Sequence, residues 1–260
     1  PASINDQSPW WQDYAYVEDH FARLNTALTR GKPVVRVGVI HPVESYWLHW
    51  GPAEQTDGIR RQMDERFQSL TDWLVNGGVD FDFLCESLLP SQCRQGGAPL
   101  RVGKMAYDAV VVPGCETLRS TTLERLEAFQ RAGGRLIFLG DAPRYAEAKP
   151  DERGKRLYEQ SRHTEFSREA LLDALEPVRL IDIRDENGVR TDNLLHQLRQ
   201  DSDGLWLFLA HSREPYNNDV PTRQNIRLTV KGAYHAHIYD TLTGNILPAN
   251  AEIQGDKTVI

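Results

Sequence analysis

Residues 107–143, YDAVVVPGCETLRSTTLERLEAFQRAGGRLIFLGDAP, constrain the fold more than any other stretch. Val110, Val111 and Val112 form a short, continuous apolar run, as a strand buried on both faces requires. Leu123, Leu126 and Phe129 then recur at helical spacing and make one apolar face. Gly133 and Gly134 stop that helix, and residues 135–139 form a second buried strand. Strand, loop, helix, turn, strand is one βαβ unit of an open parallel sheet. Hydrolytic proteins built on such sheets place a nucleophile on the sharp turn after a strand. This chain has Gly140, Asp141, Ala142 and Pro143 there, with no Cys or Ser. The expected fold can hold a catalytic site, but that nucleophile is missing.

The same periodicities extend in both directions. Tyr14, Val17, Phe21, Leu24 and Leu28 mark an amphipathic helix that stops at Gly31. Residues 34–40 read as the first strand of the sheet. A long helix follows over about 54–75, with Ile59, Met63, Phe67, Leu70 and Leu74 as its buried stripe and Gly77–Gly78 as its stop. Its many charges read as a solvated face. In residues 79–85, Val79, Phe81 and Phe83 alternate with Asp80 and Asp82, which predicts an edge strand with one wet face. Residues 91–103 are rich in Gly, Gln and Arg and read as a surface loop.

The pattern changes after about residue 150. Residues 151–160 read as a short charged helix or exposed loop, and Ser167 begins another helix carrying Leu171, Leu172 and Leu175. Past Pro177 the helical period vanishes. Short strands are predicted over 179–183, 194–200, 205–211, 225–230 and 233–239. Asp203–Gly204 and Lys231–Gly232 supply hairpin chemistry between neighbours. This spacing predicts an antiparallel sandwich, only barely closed by five or six strands.

The fold class is therefore α/β: a flavodoxin-like three-layer parallel sheet, followed by a partial antiparallel β-sandwich. The expected division is an N-terminal helix and linker over 1–31, the α/β domain over 32–177, and the sandwich over 178–260. A chain of 260 residues has ample core for this. One that opens on Pro1 and ends on a barely closed sandwich reads as a processed protein or a section of a longer one.

Several partner classes are disfavoured. A formal net charge of −7 argues against nucleic acid as the main partner. No apolar run approaches the roughly 20 residues that span a bilayer, and the N-terminus lacks the basic start and apolar core of a secretory leader. Three cysteines, Cys85, Cys93 and Cys115, cannot all pair internally; they suit a reducing compartment such as the cytoplasm, or indifference to redox. Cys85 and Cys93 have no second pair or nearby His, so no zinc site is expected. No P-loop or dinucleotide glycine spacing occurs, so no cofactor is expected.

Candidate chemistry gathers at the strand ends. Glu44, Glu86, Glu116 and Asp141 each follow a predicted parallel strand within a few residues, and His41 and Ser45 lie beside Glu44. The carboxyl ends of parallel strands form one rim, where open α/β sheets bind ligands. Paired carboxylates there can do acid–base work on a sugar, hold a metal, or grip sugar hydroxyls. They can equally cap helix N-termini, where negative charge is favourable. Cys115 follows a strand too, but Glu116 beside it would raise its pKa rather than lower it. Tyr46, Trp47 and Trp50 in ESYWLHWGP offer aromatic faces for sugar stacking or for docking another domain, and Trp10 and Trp11 invite the same reading. His235 and His237 alternate on a predicted strand and do not complete a metal site.

At this point a family resemblance enters. The run PWWQDYAYVEDHFARLNTALTRGKPVVRVGVIHPVESYW resembles the segment that follows the catalytic barrel in very large bacterial glycoside hydrolases, the family 106 α-L-rhamnosidase-like enzymes. The runs LLHQLRQDSDGLWLFLAHS and YDTLTGNILP resemble the β-sandwich that comes next in such proteins. The middle is similar to the trimerisation domain of family 42 β-galactosidases, a domain with a class I glutamine amidotransferase-like fold but without the catalytic cysteine. The resemblance implies a non-catalytic accessory section, with a neighbouring catalytic domain of the same polypeptide as partner. It also allows a homo-oligomer and a carbohydrate ligand. Two alternatives stand beside it: a free-standing hydrolase working through the carboxylate rim, and a carbohydrate-binding module.

Overall fold

A computed structural model describes residues 5–214 and 223–260. The chain divides into two compact units, one of residues 35–179 and one of residues 1–34 with 180–260.

The first unit is built on a five-stranded, all-parallel sheet. In chain order its strands are β1 (Val37–Ile40), β2 (Phe81–Leu84), β3 (Ala109–Pro113), β4 (Arg135–Leu139) and β5 (Arg162–Thr164). They lie in the order β5-β4-β3-β1-β2. This is the doubly wound, flavodoxin-like order, in which the chain reverses its direction of growth between β1 and β3. The valine run lies in β3, every residue of which is buried. β2 is the edge strand that its alternating residues predict.

Because strand side chains alternate, each face of the sheet has its own core. Val110, Val112, Leu136 and Phe138 pack beneath Leu123, Leu126 and Phe129 on one face. Val37, Val39, Val111, Ile137 and Leu139 pack beneath Leu70, Leu74, Leu171 and Leu175 on the other. The helices that supply those layers are α3 (Ala53–Asn76), α4 (Ser120–Arg131) and α6 (Arg168–Leu175); two others, α2 (Val43–Leu48) and α5 (Arg153–Glu159), complete the unit's longer helices. Each fully buried Val, Leu, Ile or Phe contributes roughly 1.5–3 kcal/mol relative to exposure. α3 ends where its glycines predict: Gly78 sits at φ +66, a left-handed conformation that favours Gly. Ser167 caps α6, its Oγ accepting from the Ala170 N–H at 3.3 Å.

Two features of this unit differ from expectation. Residues 91–103 are not simply a surface loop: Leu100–Val102 and Met105–Tyr107 form a hairpin, with Leu100, Val102 and Tyr107 buried. Glycines and Pro99 around a strand of three residues hide its alternation. Nothing in the residues of β5 marks a strand, because RHT is short and polar; main-chain pairing to Ile137–Leu139 makes it one.

Among the described residues, the second unit holds α1 (Tyr14–Leu28) and three antiparallel sheets, the smallest a two-stranded ribbon. The strand Lys32–Pro33, β7 (Leu194–Gln200) and β8 (Leu205–His211) make one sheet. β6 (Ile181–Asp185), β9 (Ile226–Lys231), Glu252–Gln254 and Lys257–Val259 supply a second. Ile181, Ile183, Leu194, Leu198, Leu228 and Val230 fill the core they share, so the arrangement is a small sandwich. The Asp203–Gly204 turn joins β7 to β8 as expected. Lys231–Gly232 does not make a hairpin: β9 pairs instead with β6 and Lys257–Val259. Only His237–Tyr239 of the predicted strand 233–239 forms, pairing with Ile246–Pro248, so His235 lies outside it. α1 buries no residue fully and leaves Phe21 60% exposed. Arg23 ties it to its unit, donating to the carbonyls of Thr241 and Leu242 at 3.1 and 2.9 Å.

Candidate functional site

A cleft of about 670 Å³ opens in the α/β unit at the carboxyl ends of β1, β3 and β4. Its floor and one wall follow from topology. The loops after β1 and β3 diverge at the point where strand order reverses, which leaves a crevice between them. His41, Val43 and Tyr46 come from the first loop and α2; Gly114, Cys115 and Glu116 come from the second. Asp141 and Arg144 follow β4, and Phe166 follows β5. The opposite wall is one face of α3, with Ile59, Gln62, Met63, Arg66 and Phe67 at helical spacing.

The rim residues fall into three groups. His41, Glu116 and Asp141 line the cleft. The His41 ring meets Phe67 and Phe83 edge-on at 5.3 and 5.7 Å, and burial lowers its pKa, so the ring is neutral at pH 7. Glu116 accepts from His49 Nε2 and Arg144 Nη2, both at 2.7 Å. Burial acts to raise its pKa, but these two hydrogen bonds outweigh it and hold the carboxylate below the usual range. Asp141 is exposed on the cleft margin.

Ser45 supports the site from behind. It is 1% exposed, and its Oγ accepts from the Glu116 and Thr117 N–H groups at 3.0 and 3.2 Å. Its own proton goes to the Thr117 carbonyl at 3.3 Å. One hydroxyl thus fixes the loop that carries Glu116.

Glu44 and Glu86 are not among the cleft-lining residues. Glu44 forms an ion pair with Arg119 Nε at 2.5 Å. Glu86 is 2% exposed, and its Oε2 accepts from the Arg119 N–H at 2.7 Å, at the N-terminus of α4. Burial pushes the Glu86 carboxyl up to about 7 against that hydrogen bond. Of these two acids only Glu86 meets a helix N-terminus through a main-chain N–H; Glu44 meets the side chain of the same arginine. Cys115 is 1% exposed, and burial, with the nearby Glu86 and Glu44 charges, pushes its thiol up, which works against a reactive thiolate.

The aromatics also separate. Tyr46 lines the cleft, whereas Trp47 and Trp50 face solvent at 60% and 70% exposure. The Arg60 guanidinium lies 4.9 Å over the Trp50 ring. Gln62, Arg66, Arg144 and Phe166 line the cleft without any mark in the sequence pattern. Arg66 and Gln62 sit beside the apolar stripe of α3, on the face expected to be merely solvated. Their position next to Met63 and Phe67 is the signal that could have marked them. Among the described residues, no group of three His, Cys, Asp or Glu is placed to hold a metal ion, and no helix is long and apolar enough to cross a membrane.

Two solved structures superpose on nearly the whole chain. A catalytic mutant of Gan42B, a GH42 β-galactosidase from G. stearothermophilus, does so with a TM-score of 0.54 at 12% identity, covering 98% of this chain and 44% of that one. Gan42B itself gives 0.53 at 13% identity, with the same shares covered. At such identity the likeness is one of fold, and it agrees with the parallel sheet plus antiparallel sheets described above. This chain spans 44% of the length of those β-galactosidase chains. No protein-family profile matches it, and no curated protein sequence does.

Proposed function

We propose that this chain is an accessory, non-catalytic section of a multidomain glycoside hydrolase, which braces or oligomerises the catalytic domain or shapes its cleft. The observation that carries the reading is the fold likeness: almost all of this chain corresponds to less than half of a β-galactosidase chain. Two features of the residues support it. Gly140–Asp141 stands where a nucleophile would, and the one cysteine on the cleft is a buried thiol. The ribbon Ile238–Leu247 also leaves Ile238, Tyr239, Leu242, Ile246 and Leu247 each about half exposed. Exposed apolar groups collected on one element suit a surface that a neighbour covers.

The free-standing hydrolase needs His41, Glu44, Glu86 and Glu116 in one pocket, and Glu44 and Glu86 are engaged with Arg119 instead. The fold likeness favours a family 42-like parent over the family 106 α-L-rhamnosidase-like parent suggested by the runs at 9–47 and 194–212. The test is to read the coding frame on both sides of this segment. An adjoining barrel with two strand-end carboxylates is expected. A frame without one overturns the proposal, as does hydrolysis of nitrophenyl galactosides or rhamnosides by the purified chain when Glu116→Gln abolishes it.

A further inference from the structure

We infer that the cleft between the α3 wall and the β1, β3 and β4 loops binds a neutral saccharide of one or two rings. The inference stands apart from the accessory reading, since it concerns only this unit. The cleft volume, about 670 Å³, falls within the range of small-molecule sites. Its lining is of two kinds. Ile59, Met63 and Phe67 give an apolar surface against which the C–H face of a pyranose can lie. His41, Gln62 and Asp141 provide donors and acceptors for the hydroxyl rim.

Charge decides against an anionic ligand. Asp64, Glu116 and Asp141 line the cleft with Arg66 and Arg144, and the Glu116–Arg144 pair at 2.7 Å neutralises itself, so the lining carries no excess of positive charge. His41 adds one donor and one acceptor without charge. Such a lining gives no gain to an anion, while a polyol uses both donor and acceptor groups. Trp47 and Trp50, the more obvious stacking platforms, do not line the cleft.

Isothermal titration of the purified 260-residue chain tests this, with galactose, rhamnose and lactose as probes and glutamate and galactose 6-phosphate as charged comparators. Saturable millimolar binding of at least one neutral sugar is expected. Asp141→Ala and Gln62→Ala, both at exposed positions, should each weaken it about tenfold while the circular dichroism spectrum is unchanged. Trp50→Ala should leave it unaltered. No saturable heat with any neutral sugar at about 20 mM overturns the inference. So does binding that survives both cleft variants or is lost with Trp50→Ala, and so does preference for either charged comparator.

Discussion

Replacing Glu86 with Gln should flatten the stability of the α/β unit against pH. The Glu86 carboxyl is 2% exposed, and burial moves its pKa from 4.5 to about 7. A carboxyl raised on folding binds more protons in the folded state than in the unfolded one between those values. Its contribution is complete below about pH 4.5 and is lost as pH rises through about 7. A difference of that size corresponds to about 3 kcal/mol. The amide introduced by Glu86→Gln would keep an oxygen to accept from the Arg119 N–H and would never ionise. Urea unfolding followed by circular dichroism at pH 5 to 8 should show the variant gaining about 3 kcal/mol on the wild type across that window. In heat, this is about 6–12 °C at pH 8 for a domain of about 150 residues. Other groups do not mimic the result. Asp80, raised to about 6 by burial, keeps its own slope in both proteins. His41, lowered by burial, works in the opposite direction just below 6.5 and cancels in the comparison. Glu116 and Asp182 are held low, so their losses come only in acid, below the window. Parallel profiles for variant and wild type from pH 5 to 8 would refute the reasoning.

Three further outcomes are expected. Phe129→Ala should cost about 3–5 kcal/mol in urea unfolding, because the ring is fully buried in the α4 layer; a loss under about 1 kcal/mol would mean that the layer collapses around the gap. Ellman's reagent should titrate Cys85 alone in the native protein and all three thiols in urea, since Cys93 and Cys115 are at most 1% exposed; a second fast native thiol contradicts this. Ser45→Ala should cost about 1–3 kcal/mol and speed amide exchange at Glu116 and Thr117, whose N–H groups lose their acceptor; unchanged exchange would show that the loop holds itself.

The sheet was legible because burial on both faces leaves a mark that chemistry can read. Val110–Val112 and Leu136–Leu139 are continuous apolar runs, and both became central strands. The alternation at Phe81–Phe83 marked an edge, but not its wet face: Phe83 is 40% exposed, while Asp80 is buried enough to raise its pKa and Asp82 accepts from the Tyr107 hydroxyl. Where the main chain does the work, the residues say little: β5 is held by hydrogen bonds to β4, and its side chains carry no pattern. The hairpin at 100–107 is too short for its alternation to stand out from the glycines beside it.

The site was legible in place but not in direction. Strand-end position put six residues on one rim, and the rim is where the cleft opens. Which of them face it depends on how α2 and α4 start. Arg119, the residue before α4, holds Glu44 with its guanidinium and Glu86 with its N–H, and neither carboxylate lines the cleft. Glu116 keeps its place because Ser45 pins its backbone and Arg144 and His49 hold its carboxylate. None of these three pairings is close in sequence, so spacing could not reveal them. The α3 wall eluded the reading for a related reason. A helix that covers a sheet has one buried stripe, and residues beside the stripe read as solvent-facing unless the fold places a crevice along it. Gln62 and Arg66 lie along that crevice because it falls at the reversal in strand order. The cleft is thus a consequence of topology first, and the residues lining it acquire chemical meaning only once the strand order is known.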